Sequence, residues 1–322
     1  MIDSLLSQFE ERSDRPVENL GDEDDRITMA HTMEQAVQGN HAFLILTHDD
    51  EKMLSRIVNR LSPLGPVFVH VDAKTNISKW QLDDLPCTIL QERVRVFWGD
   101  WSAVEATVLL LEAALTDQSN MRFTLLSGSH YPILSNEELQ LRAMTSTNVI
   151  GSRPAPNMPD GSRPEVDYQR HFYRTSTPNG TWSKVKNGIM NRIVYYRRPL
   201  DWKSVTPLSG MRAGESYWSI NREFAEYCVR QIRSSSPMIA YFKLIVCSDE
   251  KVFATLYGEF SGEVSLDGTT YSKWMEKPHH TGRFPAPVSK IDIEEVRSLD
   301  KYWFARKLRS SDSDLLDWLD EL

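Results

Sequence analysis

The feature that most constrains the fold is a pair of largely apolar runs early in the chain. Ala42 to Leu46 and Pro66 to Val71 are each of strand length, and neither alternates polar with apolar residues. Such runs are typical of parallel strands that are buried on both faces. Apolar residues at helical spacing between positions 51 and 61 predict a helix that joins the two strands.

The same alternation of strand and helix continues along the chain. We expect further strands at 94–97, 122–126 and 148–150, and helices at 102–116 (capped by Ser102), 137–143, 222–234, 249–259, 292–298 and 314–321. Alternation of this kind predicts an α/β fold. Its sheet is Rossmann-like and mostly parallel, with right-handed crossovers and helices on both faces, in one main domain.

Polar residues and glycines follow four of the predicted strands. These strand ends are Thr47-His48, His70-Val71-Asp72, Trp98-Gly99 and Ser127-Gly128-Ser129-His130. Ligands of doubly wound sheets bind at the carboxyl ends of the strands. The sequence therefore predicts a ligand site along this edge of the sheet.

Charge and composition exclude several classes of protein. The net charge of −8 argues against a nucleic-acid partner, because phosphate backbones require a basic surface. Three cysteines are too few for a disulfide framework and favour a reducing compartment. We find no apolar run of about 18 residues and no secretory signal. We therefore expect a cytoplasmic protein without a transmembrane segment, and peripheral membrane contact stays open.

Composition also suggests how the chain is divided. Residues 1–38 are acidic and poor in large apolar residues, which predicts a mobile N-terminal extension. We expect one main domain at 39–310, with a first half at 39–150 and a more irregular second half at 151–310. Residues 311–322 are predicted to form an acidic C-terminal helix or tail.

The common phosphate-binding motifs are missing from the chain. Neither GxxxxGK[ST] nor GxGxxG occurs, which argues against ATP and dinucleotide loops. The turn Ser127-Gly128-Ser129 also lacks the Asp-x-Asp that binds a metal in many nucleotide-sugar enzymes. Adjacent His279 and His280 point apart, so a metal site there is disfavoured. We expect no metal, and basic side chains would neutralise a bound diphosphate.

The segment from Ser248 to Leu256 resembles a helix start that carries acidic side chains. Ser248 would cap the helix, and Asp249 and Glu250 would lie in its first turn. A carboxylate fixed there could act as a base. The alternative, that Glu250 only stabilises the helix, is favoured by the residues alone, because Ser-x-Glu helix starts are common.

Five segments in order carry a resemblance to a known family. They are His70-Val71-Asp72-Ala73-Lys74, Trp98-Gly99-Asp100-Trp101-Ser102, Leu125 to Ile133, Ser248-Asp249-Glu250 and Phe304-Ala305-Arg306-Lys307. Between residues 41 and 308 the chain resembles the core-2/I-branching β-1,6-N-acetylglucosaminyltransferase family, which also holds the peptide O-xylosyltransferases. The absence of an anchor and of many cysteines indicates a bacterial-type, cytosolic member.

The resemblance implies a metal-independent enzyme of GT-A fold that inverts the anomeric centre. It also implies that 39–150 is the nucleotide-binding half of the catalytic domain and that 151–310 is its acceptor-binding and catalytic half. It implies that Glu250 is the catalytic base and that Arg283 and Lys307 bind the donor diphosphate. The other implied residues are Val71, Asp72, Trp98 and Ser127 for the nucleotide, and Glu215, Tyr217 and Trp274 for the acceptor.

We therefore expect transfer of a sugar, N-acetylglucosamine, from a UDP-sugar to a hydroxyl of an acceptor. The acceptor would be a glycan or a lipid-linked oligosaccharide in bacterial polysaccharide biosynthesis. UDP-xylose and UDP-glucuronic acid are alternative donors. A non-catalytic protein that binds glycans or nucleotide sugars is the alternative from another class.

Overall fold

The computed structural model describes residues 39–145, 148–158, 161, 163–170, 185, 189–190, 193, 199–266, 268–276 and 283–322. The predicted N-terminal extension, 1–38, and the pair His279-His280 lie outside the described residues.

The strands of the described ranges vary from two to eight residues in length. They are β1 (Asn40–Thr47), β2 (Val67–Val71), β3 (Thr88–Ile89), β4 (Asn120–Ser127), β5 (Tyr131–Pro132), β6 (Arg153–Pro154), β7 (Arg212–Ala213), β8 (Ser219–Asn221), β9 (Thr270–Ser272), β10 (Trp274–Glu276), β11 (Arg283–Pro285) and β12 (Phe304–Arg306).

Helices follow most of these strands. They are α1 (Glu51–Leu61), α2 (Ser102–Leu115), α3 (Asn136–Thr145), α4 (Val166–Gln169), α5 (Arg222–Ile232), α6 (Pro237–Phe242), α7 (Val252–Ser261), α8 (Lys290–Arg297) and α9 (Ser313–Asp320). Within the described ranges, 3₁₀ turns lie at Ile77–Lys79, Trp202–Val205 and Ser248–Glu250.

The central sheet has the strand order β3-β2-β1-β4-β8. Strands β1 to β4 run parallel to one another, and the edge strand β8 pairs antiparallel with β4. The predicted mostly parallel α/β sheet is therefore confirmed, and it is consistent with a GT-A-like glycosyltransferase fold.

Both faces of the sheet are covered, as the apolar run of β1 predicts. Ala42 and Leu44 pack into a core with α2, α5 and α7. Phe43 and Ile45 point to the other face, where a second core contains side chains of α1, α8 and α9. All four residues are fully buried, since successive strand residues alternate between the faces.

A smaller sheet, β5-β12-β9, lies in the second core, in which Phe304 and Ala305 are buried. The helix α9 packs on the same core through Leu316 and Leu319. Arg56 of α1 donates a hydrogen bond of 2.6 Å to Asp317 of α9. A helix therefore forms within the predicted C-terminal segment, 311–322, and packs on the second core.

The predicted strand at 94–97 is wrong, because the edge strand lies earlier, at Thr88–Ile89. Residues 94–97 form no strand, and two of their backbone N–H groups donate hydrogen bonds to side chains instead of to a neighbouring strand. The N–H of Val94 donates to Nε2 of His70 at 2.8 Å, and that of Phe97 donates to Oγ of Ser102 at 2.9 Å. Ser102 is engaged in this way and does not cap α2.

The predicted helix start at Ser248 is also wrong. Residues Ser248–Glu250 form a 3₁₀ turn, Lys251 interrupts it, and α7 begins only at Val252. The hydroxyl of Ser248 is buried and makes no capping bond. The turn instead begins at Cys247, whose φ of 50° lies in the left-handed region that non-glycine residues seldom adopt.

Candidate active site

A cavity of about 840 Å³ lies at the carboxyl ends of β1, β2 and β4. Thr47, Asp72 and Ser127, the residues at these three strand ends, line it. We call these three residues the sheet wall. The cavity lies where the polar strand ends predict a ligand site, since parallel strands end at one edge of the sheet.

The second half of the chain also supplies residues that line the cavity. Among them are Tyr217, Glu250, Arg306 and Lys307, and we call these four residues the loop wall. Tyr217 precedes β8, Glu250 ends the 3₁₀ turn, and Arg306 ends β12. The loop wall therefore places one carboxylate and two cations against the same space.

The backbone around Glu250 is held from several directions. The carbonyl of Glu250 accepts a hydrogen bond of 2.8 Å from the N–H of Gly214, and the N–H of Cys247 donates to Gly99 at 2.9 Å. The buried ammonium of Lys251 donates to the carbonyl of Val246 at 2.5 Å. These bonds fix the turn without using the Glu250 carboxylate.

The carboxylate of Glu250 contacts one cation. Its Oε2 accepts a hydrogen bond of 2.5 Å from Nη2 of Arg163, and 31% of its side chain is exposed. Burial raises the pKa of Glu250, and the charge of Arg163 opposes that rise. A carboxylate with a raised pKa is a better proton acceptor, as a general base requires.

The neighbouring acid, Asp249, is engaged within the protein. Its Oδ2 accepts a hydrogen bond of 2.8 Å from the hydroxyl of Ser216. Burial raises the pKa of Asp249, and the bond from Ser216 opposes that change. Asp249 is therefore suited to holding the segment before β8 next to the turn.

Two cations lie side by side on the loop wall. Within the described residues no carboxylate forms an ion pair with Arg306 or Lys307, and Nε of Arg306 is buried without a hydrogen-bond partner. Partial burial and the charges of Arg306 and Arg309 lower the pKa of Lys307. The charge of Asp49 opposes this change without forming an ion pair, and adjacent cations that lack an ion pair favour a bound anion at a cavity.

An aromatic ring packs against one of these cations, Arg306. The guanidinium of Arg306 lies 4.8 Å from the ring centroid of Tyr217, whose ring lies 4.3 Å from that of His130. Nδ1 of His130 accepts the N–H of Ser127 at 3.0 Å, so the neutral ring carries its proton on Nε2. Burial, with the charges of Arg306 and Lys307, lowers the pKa of His130 far below its usual value.

Two more predicted residues line the cavity near the sheet. Asp72 is buried and accepts a hydrogen bond of 2.8 Å from the N–H of Lys74, whose ammonium lies 3.1 Å from its second oxygen. Trp98 lines the cavity with 71% of its side chain exposed. A stacking surface and a hydrogen-bond acceptor therefore line the same cavity.

Comparison with known protein families decides the class of this site. A model of the Core-2/I-branching enzyme family matches residues 41–300, which is well over half of the chain. The chain belongs to the Core-2/I-branching enzyme family. This is a family of glycosyltransferases, so the protein is an enzyme that transfers sugars. Membership implies a nucleotide-sugar donor and a glycan acceptor. No curated protein matches the chain.

Three of the predicted site residues that the structure describes do not line the cavity of this glycosyltransferase. The side chain of Val71 is buried in the second core, because it lies within β2 rather than after it. Glu215 and Trp274 are not among the residues that line the cavity, and 52% of Trp274 is exposed on β10. Arg283 begins β11, but its side chain lies outside the described part of the chain.

Sequence reasoning missed two arginines of the enzyme. Arg306 lies in the segment Phe304 to Lys307 that carries the resemblance, and its place at the end of a strand could have drawn attention to it. Arg163 is 87 residues from Glu250 along the chain. Nothing in the sequence indicates that Arg163 and Glu250 are in contact.

Among the described residues, no three His, Cys, Asp or Glu side chains converge as ligands for a metal. No helix within the described ranges is long and apolar enough to cross a bilayer.

Proposed function

We propose that the enzyme is an inverting, metal-independent glycosyltransferase that moves N-acetylglucosamine from a UDP-sugar to a hydroxyl of a glycan. The observation that carries this proposal is that Glu250 faces the same cavity as Arg306 and Lys307. The cavity, at about 840 Å³, is within the range of about 300–1,000 Å³ that is usual for small ligands.

Glu250 is the base of the proposed step. Its Oε1 accepts no hydrogen bond within the described part of the chain, so it can take the proton of the acceptor hydroxyl. The hydroxyl oxygen forms a bond to the anomeric carbon as the bond from that carbon to the diphosphate oxygen breaks. A single displacement of this kind inverts the anomeric centre.

The cations of the loop wall serve the leaving group. UDP departs with the electron pair of the broken bond, and negative charge grows on its diphosphate. Lys307 and Arg306 stabilise this charge, and we propose that Arg283 joins them as the family resemblance implies. Positioned donors of this kind act most strongly where charge develops.

The remaining assignments follow the same division of the cavity. We propose that Asp72, Trp98 and Ser127, with the backbone of Val71, hold the nucleotide, and that Tyr217, Glu215 and Trp274 face the acceptor. The acceptor is a glycan or lipid-linked oligosaccharide of bacterial polysaccharide synthesis, and a cytoplasmic location stays a prediction.

The first experiment measures UDP release from UDP-N-acetylglucosamine, UDP-xylose and UDP-glucuronic acid, each with and without an oligosaccharide acceptor. We expect the fastest release with UDP-N-acetylglucosamine and a β-linked product by NMR. Faster turnover of either other donor would contradict the donor assignment, and an α-linked product would contradict inversion.

A second experiment replaces the base. We expect Glu250→Gln to lower transfer by about 10²–10⁴-fold, the usual contribution of a general base, while UDP binding by calorimetry is unchanged. Glu263→Gln, at an exposed position after α7, is the matched control and should leave transfer unchanged. Unchanged transfer by Glu250→Gln would exclude Glu250 as the base.

A third experiment tests the role of metal. We expect turnover to persist in EDTA, because side chains neutralise the diphosphate. Loss of turnover in EDTA with recovery on adding manganese would overturn the metal-independent mechanism.

A further inference from the structure

The ion pair between Arg163 and Glu250 is the feature that the proposed mechanism does not use. It joins two parts of the chain that are distant in sequence, across 2.5 Å, at the wall of the cavity. The two side chains are 25% and 31% exposed, so the pair is partly shielded from water. Such a pair is worth more than one on the open surface.

We propose that Arg163 is a positioning residue that holds the Glu250 carboxylate by one oxygen and presents the other to the acceptor hydroxyl. This inference rests on the proposed role of Glu250 as the base. Arg163 itself touches neither substrate in this arrangement.

The geometry of a carboxylate supports this role. Arg163 occupies Oε2, and Oε1 keeps its lone pairs for the acceptor proton. The backbone bonds at Gly214 and Lys251 fix the turn but leave the side-chain torsions of Glu250 undetermined. A charge-assisted bond at the tip of the side chain supplies the missing constraint.

The charges around Glu250 give Arg163 a second effect. The groups that face Glu250 are Arg163, Asp249, Lys251 and Glu215, and its own charge also acts on Cys247 and Tyr168. Burial, Asp249 and Glu215 raise the pKa of Glu250, whereas Arg163 and Lys251 lower it. Arg163 therefore keeps the base ionised to lower pH than burial alone would allow.

The pH dependence of UDP release from UDP-N-acetylglucosamine, with acceptor, provides the test. In Arg163→Ala the pKa of Glu250 rises, so the acidic limb of kcat/KM should move upward by about one pH unit. At pH values below this limb, kcat/KM should then fall about tenfold more than it does at pH values above the limb. Arg163→Lys keeps the charge without the planar fork and should restore part of the shift.

Arg142→Ala is the matched control, because Arg142 also pairs with a carboxylate, that of Asp300, away from the cavity. Its pH profile should match that of the unchanged enzyme. An unshifted limb in Arg163→Ala, with Glu250→Gln inactive, would overturn the positioning role alone. Full activity of Glu250→Gln would instead overturn the proposed function.

Thermal unfolding gives a measurement that needs no substrate. In Arg163→Ala the ionised Glu250 lacks its counter-charge, so the drop in Tm should be larger at pH 8 than at pH 5. In Glu250→Gln the same Arg163→Ala change should cost the same at both pH values. Equal drops at both pH values in both backgrounds would show that Arg163 only supports the fold.

Discussion

The sheet wall and the loop wall of the cavity differ in how they are built. Thr47, Asp72 and Ser127 follow or end strands that are bonded to neighbours along their length. Glu250 lies in a 3₁₀ turn, Tyr217 lies in the irregular segment before β8, and Lys307 follows a strand of three residues. One wall is therefore an edge of the scaffold, and the other is assembled from separate short segments.

The two walls also differ in charge. The one carboxylate of the sheet wall, Asp72, is compensated by Lys74 at 3.1 Å. On the loop wall, Arg306 and Lys307 have no such partner among the described residues. In the function that we propose, the sheet wall orients the donor, whereas the loop wall carries the groups that act on developing charge.

The largest effect on kcat is expected when the cations of the loop wall are removed. We expect Lys307→Ala and Arg306→Ala each to lower kcat by about 10²–10³-fold, since each removes a donor aimed at the leaving diphosphate. Steady-state kinetics of UDP release measures the loss. Arg309→Ala removes an exposed arginine two residues further on and should leave kcat within about twofold. Similar losses in all three variants would contradict a specific diphosphate site.

A smaller effect is expected when a glycine beside each wall is replaced by alanine. A methyl group on Gly214 would lie 1.8 Å from the carbonyl oxygen of Gly151, whereas one on Gly128 would lie 2.5 Å from the side chain of Thr47. A side chain can rotate away, but a backbone carbonyl cannot. We expect Gly214→Ala to destabilise the fold by about 1–3 kcal/mol and to lower kcat, and Gly128→Ala to do less.

Chemical denaturation and UDP-release kinetics measure these two effects. The N–H of Gly214 also donates a hydrogen bond to the carbonyl of Glu250. Gly214→Ala should therefore lower kcat more than Gly128→Ala does, even where both variants are folded. The reverse order would show that the sheet wall is the more constrained of the two.

The smallest effect is expected at the sheet wall itself. Asp72→Asn removes one charged acceptor from the nucleotide side, and we expect UDP to bind about 2- to 10-fold more weakly, the value of one hydrogen bond. Calorimetric titration with UDP measures this, and kcat at saturating donor should stay nearly unchanged. A fall in kcat as large as that of Lys307→Ala would remove the distinction between the walls.

The same contrast explains what the sequence could predict. The apolar runs of β1 and β2 and the helix Glu51–Leu61 follow local periodicity, so the sheet and its polar edge were predictable. The edge strand Thr88–Ile89 was not, because two residues carry no period. Residues 94–97 have the composition of a strand but bind side chains instead.

The loop wall was predictable only through the family resemblance. That resemblance pointed to Glu250 and Lys307, although the local pattern misled about the helix start at Ser248. It could not find Arg163, because a contact between residues 87 positions apart depends on tertiary packing. It also named Glu215 and Trp274, which local patterns could not place relative to the cavity.

The exposed indole at the cavity gives the enzyme an optical reporter of its own. Trp98 lines the nucleotide side with 71% of its surface in solvent, whereas Trp218 and Trp303 are buried in the two cores. A uracil ring stacked on Trp98 would quench its emission and leave that of the buried indoles unchanged. The difference between the enzyme and Trp98→Phe therefore isolates a fluorescence signal that follows donor binding without a label.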